Sequence, residues 1–263
     1  MKNLKPLKRD AKVDLLNIIS QKRTSLKKEF LEDKTKFING EYSKYRRIIK
    51  GKRIEPLLVT AVERLNYNSL YDSKTKVSEE ICNQIVESVP KIFSGKCVNC
   101  FIGNNEELDH FLPQSHFPYL SIFHLNLVPI CGVCNKNKGE NIPRKEKDYL
   151  HPYFDRIPNT EYLKCRLIIN QNYARAEYYL YDINIRKIAD RVKEHYKNLK
   201  LFDRFKDNAA FYFARISHVK KKRGAMVARK KLESDLDILQ LYFGKNHWNV
   251  VLCKEMIKVG YLC

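Results

Sequence analysis

"CVNCFIGNNEELDHFLPQSHFPYLSIFHLNLVPICGVCNKNK", residues 97–138, decides how the chain is read. It opens and closes on C-x-x-C pairs, Cys97 with Cys100 and Cys131 with Cys134, with thirty residues between them. Each pair can put two thiolates on one ion, and two pairs complete the tetrahedron that structural zinc prefers. The separation exceeds the commonest ribbon spacing, so a functional insert is expected between the pairs. A region poor in long helices would draw much of its fold from such an ion, which supplies ~10–16 kcal/mol of apparent folding energy in small modules. Cys82, Cys165, Cys253 and Cys263 have no paired spacing and read as reduced, mostly buried thiols.

Working outward, residues 1–92 are helical and basic in pattern, with a net charge of +10 over the first 60. Leu15, Ile18, Ile19, Leu26 and Phe30 recur at helical spacing. Pro56 is expected to open a helix carrying Leu58, Val62 and Leu65. Ser78 is the expected N-cap of another, carrying Ile81, Ile85 and Val89 and ending before Pro90. On the other side, residues 163–180 read as a β-hairpin around "NQN". Ile185, Ile188, Val192, Tyr196 and Leu199 then fall on one helical face, with further helices through Phe211–Ile216 and Leu232–Tyr242. The fold class is α+β and mainly α: a helical region 1–92, a metal-bearing module 93–160, and a hairpin-plus-helix region 161–263.

The formal charge is +20, from 50 basic and 30 acidic residues. Such an excess points to a polyanionic partner, because Lys and Arg that neutralise phosphates release counterions. No apolar run approaches the ~18 residues of a membrane span. The start, "MKNLKPLKRD", has no apolar stretch after its charges, so no secretory signal is expected and the chain is read as cytoplasmic. Reduced cysteines and a metal site follow from that compartment. "VKKKRGAMVARKK", residues 219–231, adds seven basic residues. Lys220, Lys221, Lys222 and Arg223 are read as phosphate contacts that position nucleic acid without specifying its sequence.

The stretch between the cysteine pairs resembles the HNH endonuclease family. That family's zinc-bearing members frame a ββα-metal module with two C-x-x-C pairs. The resemblance rests on Asp109-His110, Pro113, Asn126-Leu127, Cys131 to Cys134, Asn135 and Lys138, and covers about a sixth of the chain. "HPYFD", His151 to Asp155, resembles a segment that follows the module in some bacterial members. The position after the last cysteine is often histidine in the family and is Asn135 here, which favours Mg²⁺ or Mn²⁺ over softer metals. The resemblance implies metal-dependent cleavage of DNA in bacterial restriction or phage defence. It also implies a partner ATPase, as in Septu-type systems, and no GxxxxGK[ST] stretch suggests that the chain binds ATP itself.

The chemistry can be argued beside that likeness. Asp109 is a suitable oxygen ligand for Mg²⁺ or Mn²⁺, and Asn135 adds a neutral one. The side chains of Asp109 and Asn135 are expected to converge on one ion. A neutral imidazole can take a proton from water near pH 7, which makes His110 the general base. Asn126 is placed to fix the loop and the His110 ring by hydrogen bonds. Lys138, one turn after Asn135, is expected to contact phosphate. Glu106 and Glu107 read as solvated turn residues. His116, His124 and His151 read mainly as packing or surface groups. Asp109 and His110 are adjacent, and adjacent strand residues point to opposite faces. Pro113 cannot donate to a ladder, so the strand is expected to end at or just after His110. Two other functions fit the same residues: an RNA-cleaving toxin, and a non-catalytic zinc module that binds nucleic acid.

Overall fold

In the computed structural model of the chain, the described residues are 3–49, 55–93, 95–143, 148–157, 160–170, 174–181 and 188–261. They are mainly helical, with two small antiparallel sheets. The chain divides into two compact units, one built from Asn3–Asn99 and Gly103–Arg156, the other centred on Ile157–Cys263. No helix among the described residues is long and apolar enough to cross a membrane.

The first unit opens with α1 (Ala11–Ser20), capped by the Asp10 carboxylate, which accepts from the N–H groups of Lys12 and Val13. α1 buries Leu15, Ile18 and Ile19. α2 (Leu26–Ile49) starts on an exposed Leu26 and buries Leu31, Ile38, Tyr42 and Tyr45 instead. α3 (Ala61–Asp72) does not begin at Pro56. Thr60 and Glu63 form a capping box, which satisfies orphan N–H groups that Pro56 cannot address. Leu58, Val62 and Leu65 are consequently exposed, and Tyr67 and Leu70 make the buried face. α4 (Lys76–Glu87) is capped by Thr75 rather than Ser78. The Ser78 N–H donates to Thr75 Oγ1 at 3.2 Å, and Ser78 lies inside the first turn. Ile81 and Ile85 are buried as expected.

β1 (Glu107–His110) and β2 (Leu127–Ile130) pair antiparallel, Asp109 opposite Val128 and His110 opposite Leu127. β1 ends at His110, where the strand was expected to break. The segment between the strands carries aromatic rings into the core: Phe123 stacks on Tyr42 at 4.3 Å and meets the edge of Tyr45 at 5.2 Å. α5 (Gly132–Lys138) follows β2 at once, with Cys131 as its N-cap residue and Gly139 closing it at φ +55°.

The second unit holds β3 (Leu163–Ile169) and β4 (Ala174–Leu180), an antiparallel hairpin where one was expected. Asn170 of its turn is described, and Gln171 and Asn172 lie outside the described residues. One face alternates inward, with Leu163, Cys165, Ala176 and Tyr178 buried. α6 (Ala189–Asn198), α7 (Leu201–Arg223), α8 (Ala225–Phe243) and α9 (Trp248–Lys258) complete the unit, with α7 on β4 and α9 on β3. Val192, Tyr196 and Leu199 are buried as the periodicity implied, while Ile185 lies outside the described residues. In "FYFARI", Tyr212, Phe213 and Ile216 are buried and Phe211 is exposed.

Candidate functional site

The sulfurs of Cys97, Cys100, Cys131 and Cys134 all lie within 4.8 Å of one another, and the four residues are buried. A tetrahedron with Zn–S bonds of about 2.3 Å has S···S edges of roughly 3.8 Å. The cluster therefore fits a zinc ion with only a small contraction. Cys82, Cys165 and Cys253 are free thiols, and Cys263 lies outside the described residues.

The second feature is an open cleft of about 810 Å³, bordered by Glu107, Asp109, His110, Asn135 and, from α3, Arg64 and Asn68. The alternation of β1 is kept. The Asp109 carboxylate meets α5, where Lys138 Nζ donates to its Oδ1 at 2.8 Å. The His110 ring meets Tyr71 of α3 edge-on at 4.8 Å. Both residues nevertheless border one cleft.

His110 Nε2–H donates to the carbonyl oxygen of Ser121 at 2.7 Å. A carbonyl can only accept, so this bond puts the proton on Nε2 and leaves Nδ1 with a lone pair. Burial lowers the imidazole pKa, and the Ser121 carbonyl and Asp109 oppose that shift more weakly. The ring is thus held as the neutral base.

Lys138 differs from its expected role. Its ammonium is buried, donating to Asp109 Oδ1 and, at 2.9 Å, to the carbonyl of His110. The i, i+3 spacing did turn it to the Asn135 side of α5, but β1 lies there rather than solvent. Asn126 is also buried, and all its polar capacity is used locally. Its Oδ1 accepts from the Leu112 N–H at 2.8 Å and the Tyr45 hydroxyl at 3.0 Å, and its Nδ2 donates to the carbonyl of Leu112 at 3.1 Å. Asn126 therefore staples the exit of β1 to the entry of β2. It acts on the loop as expected, while the His110 ring takes its support from Ser121.

Asn135 and Asp109 line the same cleft, but the bond Asn135 makes is to a residue read as a solvated turn. Asn135 Nδ2 donates to Glu107 Oε2 at 2.7 Å. Glu107 opens β1, and a Cβ added to Gly132 would lie 2.5 Å from its Oε1. Gly132 thus leaves the room that this carboxylate occupies. The signal was present: Glu107 and Asp109 are two apart, so a strand puts them on one face. His151 is fully buried. Its Nδ1 accepts from the Tyr153 N–H at 3.2 Å, so Nε2–H faces the Tyr45 oxygen, also at 3.2 Å. It belongs to the support of Asn126. His124 is buried at a separate surface depression that includes Lys5 and Arg46, and burial lowers its pKa to about 4. His116 is half-buried in the turn after Pro113. Lys220–Arg223 form the last turn of α7, with Lys221, Lys222 and Arg223 exposed.

No family model matches the chain, and no solved structure matches it. It is 31% identical over 108 residues to protein ea31 of Escherichia phage lambda, covering 39% of this chain and 36% of that protein. It is 38% identical over 58 residues to Septu protein PtuB of Bacillus thuringiensis, covering 20% of this chain and 23% of that protein. The chain therefore matches about a third and about a quarter of these relatives' lengths.

Proposed function

We propose that the chain is a metal-dependent HNH-type endonuclease that hydrolyses DNA phosphodiester bonds. The observation that carries this reading is the single cleft bordered by Asp109, His110 and Asn135. Its donors are hard oxygens. Among the described residues, the second carboxylate oxygen of Asp109 and the Asn135 amide oxygen have no protein partner. Mg²⁺ or Mn²⁺ held by these two would neutralise the phosphate and stabilise the leaving oxygen. His110 takes the proton of the attacking water on Nδ1, and the Ser121 carbonyl holds the ring in that tautomer. Lys138 holds Asp109 in place, and Asn126 holds the loop that carries Ser121. The four-cysteine zinc fixes the start of α5, so Asn135 follows directly from a metal ligand in the chain.

Similarity to a Septu protein and to a phage protein supports a role in conflict between phage and bacterium. An ATPase partner belongs to the same proposal and rests on the family resemblance alone. Lys220–Arg223 are proposed to contact the backbone of double-stranded DNA. The test is direct. Supercoiled plasmid and a structured RNA are each incubated with wild type and His110→Ala, with Mg²⁺, Mn²⁺ or EDTA. We expect nicking that needs the metal and falls by about 10²–10⁴-fold in the variant. Preference for RNA would replace DNA as substrate. Equal cleavage by the two proteins would overturn the reading.

A further inference from the structure

The commitment of Lys138 raises a question. A phosphodiester entering the cleft brings negative charge, and the lysine expected to meet it is buried against Asp109 and the His110 carbonyl. Another cation has to face the substrate. The cleft is bordered by Arg64 and Lys136 besides His110, and both are exposed. Lys136 stands beside Asn135 on α5. Arg64 borders the cleft from α3, outside the stretch that resembles a nuclease.

α3 points a defined stripe at the cleft. Arg64, Asn68 and Tyr71 stand at i, i+4 and i+7, which a helix places on one face. Tyr71 touches the His110 ring at 4.8 Å, while Asn68 and Arg64 border the cleft farther along the helix. Seven residues of rise put Arg64 about 10 Å from Tyr71 along the axis. The stripe thus runs away from the general base along the cleft, as a flanking segment of a strand would.

Two further observations favour a ligand for Arg64. No carboxylate or carbonyl among the described residues holds its guanidinium, which is exposed at the cleft. It also lies one residue after the capping box of Thr60 and Glu63. The helix dipole disfavours a cation so near an N-terminus, so helix stability supplies no reason for it. In the same cleft wall, Asn68 Oδ1 and Ser115 Oγ are buried without a partner.

We propose that Arg64 is a phosphate clamp, binding a backbone phosphate that flanks the one at His110. A guanidinium presents a planar fork that two phosphate oxygens fit, while an ammonium is a point charge. The inference rests on the nuclease reading for its orientation but is tested without catalysis. Arg64→Ala and Arg64→Lys are made in the His110→Ala protein, and binding of a fluorescein-labelled DNA duplex is followed by anisotropy over a salt series. We expect Arg64→Ala to weaken binding about tenfold or more and to flatten the slope of log K against log salt by about one. Arg64→Lys should restore the slope but only part of the affinity. In the His110-intact protein, KM should rise while kcat holds. Unchanged affinity and slope in Arg64→Ala, with an unchanged melting curve, would overturn the clamp. If wild type cuts nothing but the slope still changes, the nuclease reading fails and the clamp stands. If wild type cuts and the slope is unchanged, the reverse holds.

Discussion

The molecule contains two antiparallel hairpins built on opposite plans. In β3–β4 each strand has seven residues, one face alternates inward, and α7 and α9 cover that face. In β1–β2 each strand has four residues, and the whole of β2 is buried. Two four-residue strands do not bury enough apolar surface to stand alone. Polar groups add to what holds them: the Lys138–Asp109 pair, the bonds of Asn126, and four thiols that fit an ion. The hairpin that carries the site depends on specific groups, whereas β3–β4 depends on area.

Removing the proposed zinc should separate the two most strongly. With zinc stripped by a chelator and its loss verified by elemental analysis, hydrogen exchange should accelerate across β1, β2 and α5 and remain slow in β3 and β4. The energy at stake is on the scale of ~10–16 kcal/mol. Unchanged protection in β1–β2 would mean that the polar network suffices. The network itself comes next. Lys138→Met leaves Asp109 buried and uncompensated, which should cost about 3–5 kcal/mol in urea unfolding. Adding Asp109→Asn should recover most of that loss, since the remaining cost is the charge and not the missing bond. A double variant no better than the single one would assign Lys138 a packing role.

Legibility differed between the hairpins for the same reason. β3–β4 could be read from the residues because area leaves a periodic trace, Leu163, Cys165 and Leu167 against the alternate positions. In β1–β2 the four-cysteine cluster and the strand end at His110 were legible in residue type and spacing. The partners were not. Lys138 looked like a surface cation because helical spacing gives a direction but not what lies in that direction. Glu107 looked like a turn residue because four-residue strands carry little period of their own. On α3, an expected apolar face of Leu58, Val62 and Leu65 hid the stripe of Arg64, Asn68 and Tyr71. There the capping box outweighed Pro56 and reset which residues face the core.

Acid is the smallest perturbation and the one in which β3–β4 should give way through a single cap. β3 packs on α9, and His247 caps α9 by accepting the Asn249 N–H on Nδ1 at 3.3 Å. The rings of Phe243 and Trp248 lie against it, at 4.7 and 5.7 Å. Burial lowers its pKa to about 3. The folded value lies below the unfolded value near 6.5, so the unfolded chain binds the proton first. The contribution is complete above pH 6.5 and drains away as pH falls toward 3, at up to ~1.4 kcal/mol per pH unit. Protonation also removes the acceptor that caps the helix. His247→Asn keeps a capping oxygen without a titrating group. Its stability should therefore fall less steeply than wild type between pH 6 and about 4, measured by urea midpoint, with exchange in β3 and α9 as the local readout. Parallel pH profiles in the two proteins would remove His247 from the acid response and leave β3–β4 resting on buried area alone.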